Sequence, residues 1–311
     1  MGRFVGVLPP VTTPFGPDGS LALEHLAANL TAWHGTGLSG YLLLGSNAET
    51  VTLTEEEKLR ILETARAHVP RDRLLLAGTG MEGTAATIAL TKAAARLGAD
   101  AALVVTPGYY RTQMRAREVI AHYTAVADAS PIPVLIYNVP QFTGVTVEPE
   151  VVARLAEHGN IVGMKDSAGN VTTLTEVLRV APEGFAVFVG SAAVFYAGLA
   201  LGACGGILAL ANAAPRACVE LYTLAREGKG AEAAALQRRL FPAVQALTTR
   251  FGIGGLKHAM DLLGYYGGPP RPPLLPPTEA ERAEIRKALT ASGLFEGRRG
   301  ETPGGKGGRN D

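Results

Sequence analysis

A single lysine at the end of an apolar segment is the residue best suited to covalent chemistry. Lys165 follows the apolar run Ile161–Met164, whereas the other lysines lie in helical or tail segments, where long cations are ordinarily solvated. Burial disfavours the charged ammonium, and an uncharged amine can attack a ketone to form a Schiff base, whose iminium then accepts electrons. The spacing alone equally allows a structural ion pair between Lys165 and the adjacent Asp166.

Polar side chains with possible chemical roles also follow other apolar segments. Tyr137 ends the preceding run, where it either transfers protons to a substrate oxygen or packs at the edge of the core. After Gly45, Ser46 and Asn47 can present N–H groups and a hydroxyl to a carboxylate, although the same residues are common in turns. Tyr109 stands next to a second tyrosine, and this pair predicts either a pocket lining or an interface.

These residues lie at or after the ends of short apolar runs. Along the chain, such runs alternate regularly with amphipathic segments. Runs rich in Val, Ile and Leu predict strands, and the spacing between them is that of helices. The predicted strands are residues 5–11, 40–45, 74–78, 101–106, 133–138, 161–165, 185–190 and 206–210. The predicted helices are residues 21–36, 54–69, 84–97, 115–129, 149–158, 171–180, 192–201 and 215–227. Near-continuous apolar strands are typical of a parallel sheet that is buried on both faces.

This succession of strand–helix units predicts a (β/α)8 TIM barrel over residues 1–227, with a doubly wound sheet as the alternative. Three further helical segments, 231–249, 254–263 and 279–294, predict a C-terminal helical extension over residues 228–295. Residues 296–311 are rich in Gly and Arg without apolar periodicity, which predicts a disordered tail. In such a barrel the active site forms at the carboxyl ends of the strands, where the polar residues described above lie.

The composition of the 311-residue chain narrows the class of function. A net charge of +1 provides no electrostatic footprint for nucleic acid or an anionic membrane. The two cysteines form no CxxC pair and the histidines show no ligand-like clustering, so we expect no metal and no other cofactor. The first residues lack the layout of a signal peptide. We therefore expect a cytoplasmic protein that acts on small molecules.

Four motifs together resemble those of the dihydrodipicolinate synthase/N-acetylneuraminate lyase family. They are Pro-Pro-Val-Thr-Thr-Pro-Phe at 9–15, Gly-Ser-Asn-Ala-Glu at 45–49, Tyr-Asn-Val-Pro at 137–140 and Gly-Met-Lys-Asp-Ser at 163–167. The resemblance covers the chain to about residue 295. It implies a (β/α)8 barrel with a helical addition, usually a homotetramer, and Schiff-base chemistry on pyruvate or another small 2-oxo acid.

The resemblance also implies a role for each candidate residue. Lys165 would form the Schiff base and Tyr137 would act as the general acid and base. Ser46 and Asn47 would hold the substrate carboxylate and relay protons, and Tyr109 would reach the active site of a neighbouring subunit. The remainder of the substrate would lie beside two residues that follow the seventh strand, Gly190 and Ser191.

Within the family, several segments look like those of 4-hydroxy-2-oxoglutarate aldolases, which implies retro-aldol cleavage of that acid to pyruvate and glyoxylate. These segments are residues 73–78, 104–107, 130–134, 161–167 and 264–269. Two residues depart from the family pattern. Ala48 stands where the carboxylate-binding loop usually has Gly, and Phe142 stands where dihydrodipicolinate synthases have an Arg that grips the carboxylate of aspartate semialdehyde. A phenyl ring cannot donate to a carboxylate, so Phe142 argues against the synthase reaction.

Three alternatives remain open at this point. The chain could be a dihydrodipicolinate synthase, or an aldolase or dehydratase for sugar-derived 2-oxo acids, because one iminium can drive both loss of water and cleavage of a carbon–carbon bond. The alternative from another class is a barrel that binds a 2-oxo acid as a sensor without turnover.

Overall fold

The computed structural model describes residues 3–295, in which eight parallel strands form one sheet. The strands are β1 (Gly6–Leu8), β2 (Gly40–Leu43), β3 (Leu74–Gly78), β4 (Ala101–Val105), β5 (Val134–Asn138), β6 (Ile161–Asp166), β7 (Ala186–Val189) and β8 (Gly205–Ile207). Their order runs β1-β8-β7-β6-β5-β4-β3-β2, so the last strand pairs with the first. The amide N–H of Ser39 donates to Val7 O at 3.0 Å and that of Val11 to Leu42 O at 2.8 Å, which joins β1 to β2. The sheet is therefore the predicted (β/α)8 barrel, and the doubly wound alternative is wrong.

Helices follow the strands as the sequence pattern predicts. The first eight helices are α1 (Leu23–Ala32), α2 (Glu55–His68), α3 (Thr84–Arg96), α4 (Ala116–Ala129), α5 (Pro140–Thr143), α6 (Pro149–Ala156), α7 (Val171–Val180) and α8 (Phe195–Ala200), and α9 (Pro215–Arg226) completes the barrel. The four-residue α5 was not predicted. It begins at Pro140, whose fixed φ suits the first turn of a helix, and ends at Gly144, which has a φ of 67°.

Two apolar layers account for the architecture. One lies inside the barrel and is formed by side chains such as Leu8, Leu42, Leu103, Leu135 and Phe188. The larger layer lies between the strands and the surrounding helices. Successive side chains of a strand point to opposite faces, so both faces of each strand are covered, as the continuous apolar runs predict. The barrel interior is a packed core, and the strand ends alone are free to carry polar groups.

Three helices follow the barrel: α10 (Gly230–Val244), α11 (Gly252–Leu262) and α12 (Glu279–Ala291). The single helix predicted over residues 231–249 is α10 followed by a π-helical turn at Gln245–Arg250, with Pro242 inside α10. Proline removes a backbone donor from a helix, and π-helical turns are frequent at functional sites. The division into a barrel (1–227) and an extension (228–295) remains a prediction, and the predicted tail at 296–311 lies outside the described residues.

No helix within residues 3–295 combines the length and the apolar composition that a membrane crossing requires.

Candidate active site at the carboxyl ends of the strands

Lys165 and Tyr137 lie side by side at the ends of two neighbouring strands. The two residues are partners in the register of β5 and β6, so their side chains point to the same face. The ammonium nitrogen of Lys165 lies 4.3 Å from the centre of the Tyr137 ring. Both residues are buried, with exposed fractions of 3% and 5%. The amine is therefore held out of bulk water and against a phenol.

The alternative in which Lys165 pairs with Asp166 is wrong. Because adjacent strand residues face opposite ways, the Asp166 side chain turns away from Lys165, and no ion pair joins the two within residues 3–295. The Asp166 carboxylate instead accepts from the side-chain amide of Asn138 at 2.7 Å. Burial raises the pKa of Asp166, although the Asn138 hydrogen bond opposes the rise.

The Tyr137 hydroxyl is tuned by its neighbours. It lies 3.3 Å from Ser46 Oγ. Burial pushes the pKa of Tyr137 upward, but the positive charge of Lys165, with hydrogen bonding to Ser46 and Ser167, outweighs burial and holds the pKa below its ordinary value. A buried phenol that releases its proton more readily than usual is suited to moving protons during a reaction.

The turn after β2 brings Ser46 and Asn47 to this site. Residues Ser46–Ala48 form one turn of 3-10 helix after Gly45, and Thr13 Oγ1 donates to Ala48 O at 2.7 Å. Ala48 is buried and is not among the described residues with a positive φ. An alanine therefore fits this backbone without strain, and the departure from the family glycine is accommodated.

A cavity of about 380 Å³ opens above Lys165. Of the candidates predicted from the sequence, Lys165, Tyr137, Asn47, Gly190 and Ser191 line it, whereas Ser46 lines a neighbouring cavity and lies 3.3 Å from the Tyr137 hydroxyl. At Gly190 a Cβ atom would meet Ser167 Oγ at 2.0 Å, so this wall admits only glycine. Lys165 is the only charged residue that lines the described cavity.

Several cavity residues were not predicted from the sequence. Gln141 and Ser167 contribute polar groups near the strand ends, and the Gln141 side-chain amide donates to Ser167 O at 3.1 Å. The C-terminal extension supplies a whole wall, which consists of Leu247, Thr248, Thr249, Gly252, Ile253 and Leu256. Gln141 and Ser167 stand shortly after Tyr137 and Lys165 at the strand ends, and this position could have identified them from the sequence. No local pattern marks the second group, which only the packing of the extension brings to the site.

Tyr109 does not reach this cavity within one chain. Its side chain is 78% exposed and stacks edge-on against Tyr110, with ring centres 5.0 Å apart. The Glu82 carboxylate accepts from the backbone N–H of Tyr109 at 2.8 Å, and also from that of Gly108, so the loop itself is held. Phe142 is also exposed and lies on the rim between this cavity and a neighbouring one of about 650 Å³.

The model of the dihydrodipicolinate synthetase family matches residues 3–292. The chain belongs to this family. A 4-hydroxy-tetrahydrodipicolinate synthase of Methanothrix thermoacetophila is 39% identical over 290 residues, covering 92% of this chain and 96% of its own. As a member of the family, the chain is a lyase of the class I aldolase type.

Solved structures of relatives share the fold over almost their full length. YagE of E. coli K12, a prophage protein of the same family solved in complex with pyruvate, is 32% identical with a TM-score of 0.88, covering 94% of this chain and all of its own. A monomeric dihydrodipicolinate synthase variant is 29% identical with a TM-score of 0.89, covering 94% of this chain and 98% of its own. The barrel and its extension are thus common to the family.

Proposed function

We propose that this chain forms a Schiff base between Lys165 and pyruvate, or a closely related 2-oxo acid, and uses the resulting enamine to make or break a carbon–carbon bond. The observation that carries the proposal is the geometry of Lys165, which is buried, unpaired with any described carboxylate and next to Tyr137 at the floor of a cavity. The complex of YagE with pyruvate supports the same class of substrate.

Lys165 carries the covalent step, and Tyr137 carries the proton transfer at the substrate hydroxyl. The Lys165 amine attacks the C2 ketone, water leaves, and loss of a C3 proton from the iminium gives the enamine. In synthesis the enamine carbon attacks an aldehyde, and the Tyr137 phenol protonates the alkoxide that forms. In cleavage Tyr137 removes the hydroxyl proton and the bond breaks to leave the enamine. After cleavage a proton returns to C3 of the enamine to give the iminium, and water hydrolyses this iminium to release the oxo acid and restore the Lys165 amine.

The remaining candidates hold the substrate in this scheme. Ser46 and Asn47 bind the carboxylate next to the ketone, and the Ser46 hydroxyl relays protons to Tyr137, 3.3 Å away. Gly190 and Ser191 line the part of the cavity that takes the rest of the molecule. The hydroxyl and amide groups in this part carry no charge, so they bind by hydrogen bonds alone.

The segment resemblance and the names of the relatives favour different reactions, and these reactions differ in the second substrate. The name of the 39% identical relative favours 4-hydroxy-tetrahydrodipicolinate synthesis, in which pyruvate condenses with aspartate semialdehyde. The segment resemblance favours 4-hydroxy-2-oxoglutarate aldolase instead. We take the synthase reaction as the first candidate, because relatives with that name cover more than nine-tenths of the chain.

A second candidate rests on the lining of the cavity. Phe142 stands where a synthase has an arginine, and no described lining residue other than Lys165 carries a charge. Uncharged donors such as Gln141, Ser191 and Thr249 suit a hydroxylated tail better than a second carboxylate. This observation favours cleavage or dehydration of a sugar-derived 2-oxo acid.

We further propose that the chain acts as a homotetramer in which Tyr109 enters the active site of a neighbouring subunit. Val51, Tyr109, Tyr110 and Phe142 are all more than 60% exposed. Val51 and Phe142 line the cavity of about 650 Å³, and large exposed apolar side chains are typical of an interface. Since one relative is described as monomeric, the state is tested directly: light scattering of the wild type should give four chains, and Tyr109→Phe should lower turnover without changing the mass. A fully active monomer would refute this assembly.

One set of assays separates the possible second substrates. The purified protein is given pyruvate with aspartate semialdehyde, 4-hydroxy-2-oxoglutarate alone, and a 3-deoxy-2-oxo sugar acid alone, and product formation is followed in each. Turnover in the first assay supports the synthase, and turnover in the second or third supports cleavage or dehydration. A protein that binds pyruvate but turns over none of the three would support the sensor alternative.

A further inference from the structure

The carboxylate-binding turn is flanked by two residues in an unusual backbone conformation. Within residues 3–295, Leu44 and Glu49 are the only non-glycine residues with a positive φ, at 59° and 55°. The left-handed region is unfavourable for residues with a Cβ atom, and such residues persist only where their surroundings hold them in place. The four residues between them, 45–48, form the turn that carries Ser46 and Asn47. Something must therefore hold both ends of this turn.

Glu49 is held by a buried ion pair with the C-terminal extension. Its carboxylate Oε1 lies 2.5 Å from Lys257 Nζ on α11, and the side chains of both residues are fully buried. The second oxygen, Oε2, accepts from the backbone N–H of Arg271 at 2.7 Å. Lys257 Nζ also donates to Pro269 O at 3.0 Å and lies 4.5 Å from the centre of the Phe15 ring. Both charges are thus matched by partners inside the protein.

This pair joins two walls of the active-site cavity without touching the cavity itself. Neither Glu49 nor Lys257 lines it. On one side of the pair is the turn with Asn47, and on the other side α11 contributes Gly252, Ile253 and Leu256 to the opposite wall. A buried ion pair that further contacts hold on both sides fixes geometry rather than adding much stability. Because the pair lies between these two walls, the geometry that it fixes is the position of the Asn47 turn relative to α11.

We propose that Glu49 and Lys257 are positioning residues that hold the Ser46–Asn47 turn in the orientation that recognises the substrate carboxylate. The proposal rests on the proposed Schiff-base function, because it concerns the same site. Without the pair, Glu49 is free to leave the left-handed conformation, and the donors of the turn lose their common direction. Lys165 and Tyr137 belong to β6 and β5 and stay in place. Recognition of the carboxylate is therefore lost while imine formation is kept.

The experiment compares two ketones, one that carries a charged carboxylate and one in which this group is a neutral methyl ester. Pyruvate and methyl pyruvate are each incubated with the full-length protein and borohydride, and the amount of reduced adduct on Lys165 is measured by mass spectrometry as the ketone concentration is varied. The variants are Glu49→Gln and Lys257→Met. Leu289→Ala is the control, since it removes a fully buried side chain of α12 in the same extension without touching the pair.

In Glu49→Gln and Lys257→Met, the pyruvate concentration that gives half-maximal adduct should rise at least about tenfold, as expected when a charged hydrogen-bonded contact is lost. The value for methyl pyruvate should change by less than about twofold, so the preference for the charged ketone falls. Leu289→Ala should keep the preference of the wild type even though it unfolds more easily. An equal rise for both ketones in the variants would mean a general structural role and would overturn the proposal.

Because a single change leaves an unpaired buried charge, either variant can fail to fold. The double variant Glu49→Gln/Lys257→Met removes both charges and keeps similar volumes. It should fold and show the same loss of preference, and an unchanged preference in this variant contradicts the proposal. If the wild type forms no adduct with either ketone, the proposed Schiff-base function fails instead, so the two failures are distinguished.

Discussion

Two buried lysines at the same end of the barrel have opposite surroundings. Lys165 ends β6 and faces a cavity, with the Tyr137 ring 4.3 Å away and no ion pair to a described carboxylate. Lys257 lies on α11, 2.5 Å from the carboxylate of Glu49 and 3.0 Å from a backbone carbonyl. Their exposed fractions are 3% and 0%. The degree of burial is thus almost the same, and only the partners differ.

Burial alone therefore does not identify a nucleophile. Burial makes the charged form of an amine costly, but a carboxylate in contact compensates that cost and keeps the ammonium. Burial lowers the pKa of Lys257, and Glu49 counteracts it. Lys165 has no carboxylate in contact and lies next to a phenol and an open cavity, so its nitrogen is accessible to a ketone. We therefore expect Lys165 to react and Lys257 to hold structure, and four predictions test this contrast.

The largest effect is expected for Lys165→Ala. Turnover should fall by at least about 10⁴-fold, because the covalent step has no substitute nucleophile. The fold should be kept, as judged by circular dichroism. Lys92→Ala, which changes an exposed lysine of α3, is the matched control and should keep wild-type turnover. Substantial residual activity in Lys165→Ala would contradict the assignment of Lys165 as the reactive lysine.

Tyr137→Phe should lower turnover by about 10²–10⁴-fold, because it removes the proton carrier while leaving the nucleophile. The pKa of Tyr137 lies below its ordinary value of 10.0. In the cleavage direction the phenolate is the active form, so the rate should rise as the pH rises through this lowered pKa. In the synthetic direction the phenol is active, so the rate should fall over the same range.

The Tyr137→Phe variant should lack this pH-dependent limb in either direction. Tyr123→Phe is the control, because Tyr123 is a buried tyrosine whose hydroxyl donates to Val104 O at 2.7 Å behind the strands. It should cost about 0.5–1.5 kcal/mol of unfolding free energy and leave the pH profile unchanged. A pH profile that is the same in the wild type and in Tyr137→Phe would assign proton transfer to another group.

Replacing each lysine by Met should separate the two by stability. Lys257→Met leaves the Glu49 carboxylate buried without its ammonium, and the free energy of unfolding should fall by about 3–5 kcal/mol. Lys165→Met removes an amine that has no carboxylate partner, so the free energy of unfolding should stay within about 1.5 kcal/mol or increase. Denaturant unfolding measures both. Equal losses of unfolding free energy in the two variants would contradict the conclusion that only Lys257 has a carboxylate partner.

The smallest effect concerns another ion pair of the extension, between Arg271 and Glu57, whose atoms lie 2.7 Å apart. The hydrogen bond from Arg271 lowers the pKa of Glu57 from 4.5 to about 2. A lowered pKa in the folded state stabilises the protein above pH 4.5, and this contribution is lost as the pH falls from 4.5 towards 2.

Glu57→Gln should therefore flatten the acid side of the stability curve. The change in slope should be at most about 1.4 kcal/mol per pH unit, and less in practice because solvent screens a pair near the surface. Denaturant unfolding at a series of pH values checks this. An unchanged slope would mean that Arg271 does not stabilise the ionised carboxylate.

The barrel could be predicted from the sequence because its determinants are local. The predicted apolar runs 133–138 and 161–165 form β5 and β6, which are covered on both faces. The structure confirms each of these. It corrects the ends of several strands by one to three residues, and it replaces the final turns of one predicted helix with the π-helical turn at 245–250.

The site could be predicted only in part. Residues that follow strands, such as Lys165, Tyr137 and Asn47, share an end of the barrel because the topology places every strand end there. Thr248, Gly252 and Lys257 depend on how the extension packs onto that end, and this packing has no periodic signal in the sequence. The left-handed conformation of Glu49 was also not predicted, because glutamate rarely adopts it.

The most direct test of the account is borohydride reduction of the wild-type protein in the presence of pyruvate, followed by peptide mass spectrometry. We expect one reduced pyruvate adduct per chain, located on Lys165, with Lys257 unmodified. Absence of an adduct, or an adduct on another lysine, would contradict the Schiff-base function and the contrast between the two buried lysines.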